Sequence, residues 1–179
     1  MAELFKRKVA IETRVSRARY RGGVAKLMAA QGARVVVVDP GVNVDGTGED
    51  SSFANRSWTR SKLRVAKRCV PGVSGYMTGG ETIIQTALDN YGKLDIVVTV
   101  AGILRDRMIF NMSEQEWDDV IAVHLKGTFS IVKNASVLFR QQRSGRIITF
   151  SSTTGLYGNS AKLTMVRPRT ALPGSPSGR

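Results

Sequence analysis

One stretch of the chain, residues 94–160, limits the possible folds more than any other. It reads as a buried strand over residues 96–100, a small-residue turn, a long helix, and a second buried strand over residues 147–150 that ends in paired serines. Two short apolar runs joined by a helical repeat predict a parallel strand–helix–strand unit. Open parallel sheets bind ligands at the carboxyl ends of their strands, so we expect the polar chemistry of this chain there.

The first half of the chain adds the same alternation. Residues 8–11 begin as a strand, a helical pattern starts at Gly23, and the apolar run VVVVD ends at Asp39. Another helix is predicted from Gly80, with Gly92 as its stop signal. These alternations predict the α/β class, with a doubly wound parallel sheet.

The long helix has its own start signal. Ser113 and Glu116 fit the capping-box pattern S-x-x-E. An apolar stripe follows at helical spacing, formed by Trp117, Ile121, Leu125 and Phe129. A stripe of this kind predicts core or subunit packing rather than a ligand site.

These residues resemble the short-chain dehydrogenase/reductase family. Its LDxxVNNAG motif stands here as LDIVVTVAG, its VxLxGxF as VHLKGTF, and its IINxSS as IITFSS. The segments AGILRDRMIF and GLYGN, with a histidine in VHLKGTF, are most similar to the D-3-hydroxyacyl-CoA dehydrogenase and 3-oxoacyl reductase branch. The resemblance implies a Rossmann-like fold and an NAD(P)-dependent oxidoreductase. Its substrate would be a 3-hydroxyacyl or 3-oxoacyl thioester, or a similar alcohol or ketone.

The resemblance also assigns site residues. Ser152 matches the catalytic serine that hydrogen-bonds the substrate oxygen, and His124 stands at the position of an asparagine in the proton relay. Asp39 falls where the family binds the adenosine ribose, which favours NAD over NADP as the cofactor. Ala101 and Gly102 match the backbone that approaches the cofactor, although Thr99-Val100 replace the family's Asn-Asn.

Each of the three polar side chains is also consistent with a structural role. A serine at a strand end can cap a turn, and Asp39 can open the turn before Pro40. His124, the single histidine of the chain, can be a hydrogen-bonded packing residue rather than a relay member.

The resemblance breaks in three places. In residues 12–22, arginine and tyrosine stand where the family has the glycines of its phosphate-binding turn. Residues 55–76 hold no acidic residue, and neither the family's helix nor its third strand is recognisable there. Beyond Ser152, Met165 and Arg169 occupy the positions of the catalytic tyrosine and lysine. Methionine has no proton to transfer, so the resemblance implies a chain without turnover.

A shifted reading frame would explain all three breaks. With synonymous codons chosen for residues 54–69, one restored base gives AQQVVDEIKAAGGEAV, an amphipathic helix followed by the start of a strand. The same operation gives QANYGAAK, which contains the family's YxxxK, over residues 161–169. The other shifted frame gives RGIGG within residues 17–23. We therefore expect a truncated, frame-disrupted relative. Residues 1–160 would form an incomplete sheet without its last strands and substrate-covering helices, and residues 161–179 a disordered tail.

The formal charge of +13 is also consistent with a different class of function, the binding of nucleic acid. All of this excess lies in residues 12–22, 55–69 and 161–179. A nucleic-acid-binding protein could use Arg17, Arg19, Arg21 and the cluster over residues 56–68, but aromatic residues are not interleaved with these charges as single-strand binding would need. A third alternative is a non-catalytic partner of an intact paralogue.

The remaining patterns concern location and partners. No run approaches the ~20 apolar residues that span a bilayer, and the start of the chain lacks a signal-peptide pattern. The single cysteine, Cys69, fits a reducing compartment and forms no metal-ligand pattern. We expect a cytoplasmic protein without a metal or membrane partner. Because the family pairs through the helix over residues 113–140, we also expect a homo-oligomer.

Overall fold

The computed structural model describes residues 4–13, 23–39, 65–69, 78–105 and 107–152. Within these residues, five strands form one parallel sheet in the order β3-β2-β1-β4-β5. The strands are β1 (Val9–Thr13), β2 (Arg34–Asp39), β3 (Val65–Cys69), β4 (Ile96–Thr99) and β5 (Arg146–Thr149). The predicted α/β class with a doubly wound parallel sheet is confirmed.

The helices follow the strands in the alternation that parallel pairing requires. They are α1 (Gly23–Ala30), α2 (Gly80–Tyr91), α3 (Glu114–Ile121), a π-helical segment (Ala122–Gly127) and α4 (Thr128–Gln142). A short 3-10 turn (Ile109–Asn111) precedes α3. The α3 helix, the π-helical segment and α4 run on from one another and form the long helix that the sequence predicts.

Both faces of the sheet are covered by helices. Alternate residues of β1 belong to different cores: Ile11 packs in the cluster that includes α2, α3 and α4, whereas Ala10 packs in the cluster that includes α1. Because β1, β2 and β4 each have a neighbouring strand on both sides, nearly all of their side chains are buried. This double burial explains why IVVT and VVVV appear as continuous apolar runs instead of alternating with polar residues.

Two end signals act as the sequence predicts. The N–H of Gly92 donates to the carbonyl of Leu88 at 2.7 Å, and the φ of +73° at Gly92 ends α2. At the start of α3, the N–H of Glu116 donates to the Ser113 hydroxyl at 3.2 Å, and the N–H of Ser113 donates to the Glu116 carboxylate at 3.0 Å. That backbone bond, with a further bond from Arg107, lowers the pKa of Glu116.

Two expectations were wrong in detail. A third strand is present at Val65–Cys69, although the sequence shows no strand pattern there. Its backbone pairs with β2 in parallel register, so the pairing and not the local sequence determines this strand. The strand β5 was expected to be buried, yet Ile148 is 47% exposed, since β5 is the outermost strand of the sheet among the described residues. The apolar stripe on the long helix, for which core or subunit packing is predicted, is only partly covered among the described residues, because Phe129 is 54% exposed.

Several predictions concern residues outside the described ranges. These are the arginine-rich replacement of the phosphate-binding turn over residues 14–22, the basic cluster up to residue 64, Met165, Arg169 and the tail over residues 161–179. Within the described ranges, none of the helices combines the length and the apolar character needed to cross a bilayer.

Asp95 connects the two central strands just before β4 begins. Its Oδ2 accepts a hydrogen bond from the N–H of Val9 at 2.8 Å and lies 2.9 Å from the Lys93 Nζ, while its Oδ1 lies 3.4 Å from the Lys8 Nζ. Burial raises the pKa of this carboxyl. The hydrogen bonds from Lys93 and Val9, with the charges of Lys93 and Lys8, outweigh burial and hold the pKa below the ordinary aspartate value.

Replacing Asp95 with alanine is expected to lower the free energy of unfolding by about 1.5 kcal/mol at neutral pH, because the N–H of Val9 loses a charged acceptor. A carboxyl with a lowered pKa stabilises the folded chain above its unfolded-state pKa of about 4, and that contribution is lost as the pH falls through the folded-state value. Urea unfolding of both chains should therefore show a difference that is largest at neutral pH and shrinks below about pH 4.

The matched control is Asp89→Ala, which removes an exposed carboxylate on α2 whose Oδ1 accepts from the Gln85 amide at 2.7 Å. This variant should cost less than about 0.5 kcal/mol. A loss of stability in the Asp95 variant that does not change with pH would contradict the role given to its charge.

Candidate functional site

The carboxyl ends of the strands lie at one edge of the sheet, and the residues there are polar. Thr13 of β1 is in register with Thr99 of β4, and Thr99 is in register with Thr149 of β5. Asp39 is the last residue of β2. The pairing continues past the strands, since the N–H of Phe150 donates to the carbonyl of Thr99 at 3.3 Å. In an open parallel sheet this edge is the ligand-binding edge.

Four of the predicted site residues lie along this edge. Asp39 is half-buried at the end of β2, Ala101 and Gly102 follow β4, and Ser152 is half-buried three residues after β5. The strands that carry Asp39 and Ser152 are separated by β1 and β4. At about 4.8 Å between neighbouring strands, the two residues are on strands about 14 Å apart. A ligand that contacts both must be elongated along the edge.

The fifth predicted residue, His124, reaches the edge from the long helix. Its Nε2 lies 2.8 Å from the carbonyl oxygen of Ile103 and 3.1 Å from the Ile103 backbone nitrogen. A neutral imidazole can donate to the carbonyl in one tautomer or accept from the N–H in the other. His124 and Ile103 are both buried, so this contact holds the turn that carries Ala101 and Gly102 against the helix.

The helix has an unusual geometry where His124 leaves it. The π-helical segment spans Ala122–Gly127, and such segments hold one extra residue in a turn and occur frequently at functional sites. An ion pair lies nearby: the Arg105 Nη2 is 2.9 Å from the Asp119 Oδ2 of α3. The connection from β4 to the long helix is therefore held by a histidine contact and by an ion pair.

A further polar residue was missed at the start of the site. Glu12 is 3% exposed in the central strand β1, where it is in register with Val37 on one side and Val98 on the other. Its Oε2 accepts a hydrogen bond from the N–H of Ala25 at 3.1 Å. Ala25 is the third residue of α1, so this N–H is one of the four at a helix start that have no partner within the helix.

A signal for Glu12 was present in the sequence. The strand VAIET holds one acidic residue inside an otherwise apolar run, and a carboxylate is rarely buried in a central parallel strand unless a partner compensates its charge. The partner could not be identified from the pattern, because Ala25 lies 13 residues later across a connection of unrecognised type.

The strand order and the polar edge define a class of protein. Five parallel strands in the order β3-β2-β1-β4-β5, with helices on both faces, form the framework of the doubly wound nucleotide-binding proteins. The switch in strand order falls between β1 and β4, next to the turn that carries Ala101 and Gly102.

The chain belongs to the short-chain dehydrogenase family. The family model described as "short chain dehydrogenase" matches residues 60–164, which is more than half of the chain. A crystal structure of a short chain dehydrogenase from Mycobacterium avium is similar to 93% of this chain, with a TM-score of 0.74 and 33% sequence identity. The predicted family is therefore confirmed.

Two relatives agree with the predicted branch. The peroxisomal multifunctional enzyme type 2 of mouse is 38% identical over 137 residues, which are 75% of this chain. A 3-oxoacyl-(acyl-carrier-protein) reductase of Staphylococcus aureus is 39% identical over 94 residues, which are 52% of this chain. The chain spans 18% of the mouse protein, 38% of the bacterial reductase and 60% of the crystallised dehydrogenase.

Members of this family are oxidoreductases that use NAD(P), and one part of the site does not fit that cofactor. A pyrophosphate on the doubly wound fold binds the free N–H groups at the start of the first helix. Here the carboxylate of Glu12 accepts one of those bonds, and its position would bring a second negative charge next to a diphosphate. On the neighbouring strand, Asp39 is the last residue of β2.

Proposed function

We propose that this chain has the framework of an NAD-dependent oxidoreductase of 3-hydroxyacyl or 3-oxoacyl thioesters, or of a similar alcohol or ketone, and that with its present sequence it does not catalyse hydride transfer. The observation that carries the first half is the placement of Asp39, Ala101, Gly102 and Ser152 along one edge of the sheet. The name of the bacterial 3-oxoacyl reductase supports the thioester substrate. A carboxylate at the end of β2 favours NAD, because it would repel the 2′-phosphate of NADP.

The proposed lack of turnover follows from the sequence beyond the described residues. Met165 stands thirteen residues after Ser152, where the family has its catalytic tyrosine, and Arg169 stands where it has the lysine. A thioether has no proton to donate to a developing alkoxide, so the substrate oxygen would lack its general acid. A shifted reading frame remains our explanation for these replacements.

The same proposal includes pairing of two chains through the long helix. The apolar stripe of this helix is only partly covered within the described part of the chain, since Leu125 is half-buried and Phe129 is 54% exposed. Two copies that pack these stripes together would bury both of them around a two-fold axis. The long helix carries little of the basic charge that would oppose such pairing.

The test of turnover uses the purified chain, NADH and acetoacetyl-CoA. We expect NADH oxidation to be no faster with the purified chain than with the Ser152→Ala variant, because the proton donor is missing from both. Oxidation that is faster with the original chain than with this variant would contradict the proposed lack of turnover.

The pairing is tested by light scattering of the same sample, which we expect to give the mass of two chains. A mass of one chain would contradict the pairing alone.

A further inference from the structure

We infer that Glu12 is an internal anion that excludes the diphosphate of a dinucleotide from the start of α1. This inference rests on the proposed function, because it concerns the nucleotide end of the same site. It adds a residue within the described structure that opposes cofactor binding, independently of Met165 and Arg169.

The contact between Glu12 and α1 has the geometry of an occupied anion position. The carboxylate oxygen lies 3.1 Å from the Ala25 nitrogen, within the first turn of the helix, where free N–H groups and the helix dipole favour negative charge. A phosphate oxygen of a bound dinucleotide would use the same kind of donor. Carboxylate and phosphate therefore compete for one position, and the carboxylate is attached to the protein.

Burial makes the side chain hard to displace. Glu12 is 3% exposed, and its neighbours in register, Val37 and Val98, are 3% and 1% exposed. A charged carboxylate moved away from Ala25 into these valines would lose the bond from the Ala25 N–H without gaining water. We therefore expect Glu12 to stay on Ala25 when a diphosphate is offered.

The charge of the carboxylate itself also disfavours a second anion at this helix start. The first turn of α1 contains no acidic residue of its own, so Glu12 is the negative group that the helix start receives from β1. Two like charges a few ångströms apart in a water-poor setting repel each other strongly. Removing the charge while keeping the shape should therefore restore part of the affinity for a diphosphate.

The experiment measures binding of ADP-ribose by calorimetry to the original chain and to Glu12→Gln. ADP-ribose carries the adenosine and the diphosphate of the cofactor without the nicotinamide, so the result does not depend on turnover. We expect at least tenfold tighter binding to Glu12→Gln, because glutamine keeps an acceptor for Ala25 but removes the charge. Adenosine, which has no phosphate, should bind the two chains equally.

Two variants complete the design. Glu81→Gln makes the same replacement at an exposed site in the first turn of α2, so it should bind ADP-ribose like the original chain. Glu12→Val removes the buried carboxylate altogether and decides the question if Glu12→Gln does not fold, as judged by its circular dichroism and unfolding curve.

The inference is overturned if the folded Glu12 variants bind ADP-ribose no more tightly than the original chain, including the case in which none of them binds it. It is also overturned if the Glu81 variant shows the same gain, since the effect would then be one of net charge. NADH oxidation by the original chain would contradict the proposed lack of turnover without deciding the role of Glu12, so the two proposals fail separately.

Discussion

Replacement of His124 by alanine is expected to lower the free energy of unfolding by about 3 kcal/mol, the largest effect we predict for a single side chain. The change removes a buried ring and leaves a cavity beside the long helix. It also removes the hydrogen-bond partner of the Ile103 backbone. Because Ile103 is 1% exposed, water has little access to replace that partner. Urea unfolding followed by circular dichroism measures the loss.

Two further variants separate the hydrogen bond from the volume of the ring. His124→Leu keeps most of the volume and removes both ring nitrogens, so we expect a loss of about 2 kcal/mol. His124→Asn restores a group that can donate or accept, and it should be more stable than the leucine variant. Hydrogen exchange gives a local measurement: the Ile103 amide should exchange faster in His124→Leu, relative to the Val97 amide in the sheet. Equal stability of all variants would show that this contact does not hold the turn.

Replacement of Gly80 by alanine is expected to lower the free energy of unfolding by about 2 kcal/mol. Gly80 is the first residue of α2 and packs on α4, where an added Cβ would lie 2.6 Å from the Ser130 carbonyl oxygen and 2.7 Å from the carbonyl carbon. These atoms belong to the backbone of a helix and cannot turn aside, so the two helices must separate. The gain of alanine over glycine in helix propensity, at most about 1 kcal/mol, is smaller than this cost.

The control is the same replacement at the first residue of another helix. Gly23 begins α1, and a Cβ built there meets no atom within 4 Å. Neither glycine has a positive φ, so backbone strain does not distinguish the two positions. We expect the denaturation midpoint of Gly23→Ala to equal or exceed that of the original chain. If Gly80→Ala unfolded at the same midpoint as Gly23→Ala, the close approach of α2 and α4 would be wrong.

Local sequence signals were sufficient to predict the helices and strands whose ends are determined by their own residues. Gly92 ends α2 because it adopts a backbone conformation that other residues avoid, and Ser113 begins α3 because its hydroxyl accepts a helix N–H. The run VVVVD predicted β2 because a strand buried on both faces needs no polar alternation. For the site, motif positions placed Asp39 and Ser152 at the carboxyl edge without any knowledge of packing.

The features that depend on distant partners were not predicted. The strand β3 has the sequence VAKRC, which has no local strand pattern, and its register is set by β2. The contact between His124 and Ile103 joins residues 21 positions apart and requires the π-helical turn to be known. The bond between Glu12 and Ala25 depends on how the chain returns to the sheet after β1. In each of these three cases the local structure is determined by a tertiary contact, which the local sequence does not indicate.

The order of the strands has a consequence for how this polypeptide is made. The two central strands, β1 and β4, meet through contacts such as that between Val9 and Asp95, which are 86 residues apart. A nascent chain on the ribosome therefore cannot close the centre of its sheet until β4 has been synthesised. Until then one edge of β1 stays open and apolar, a state that aggregates readily and that chaperones bind.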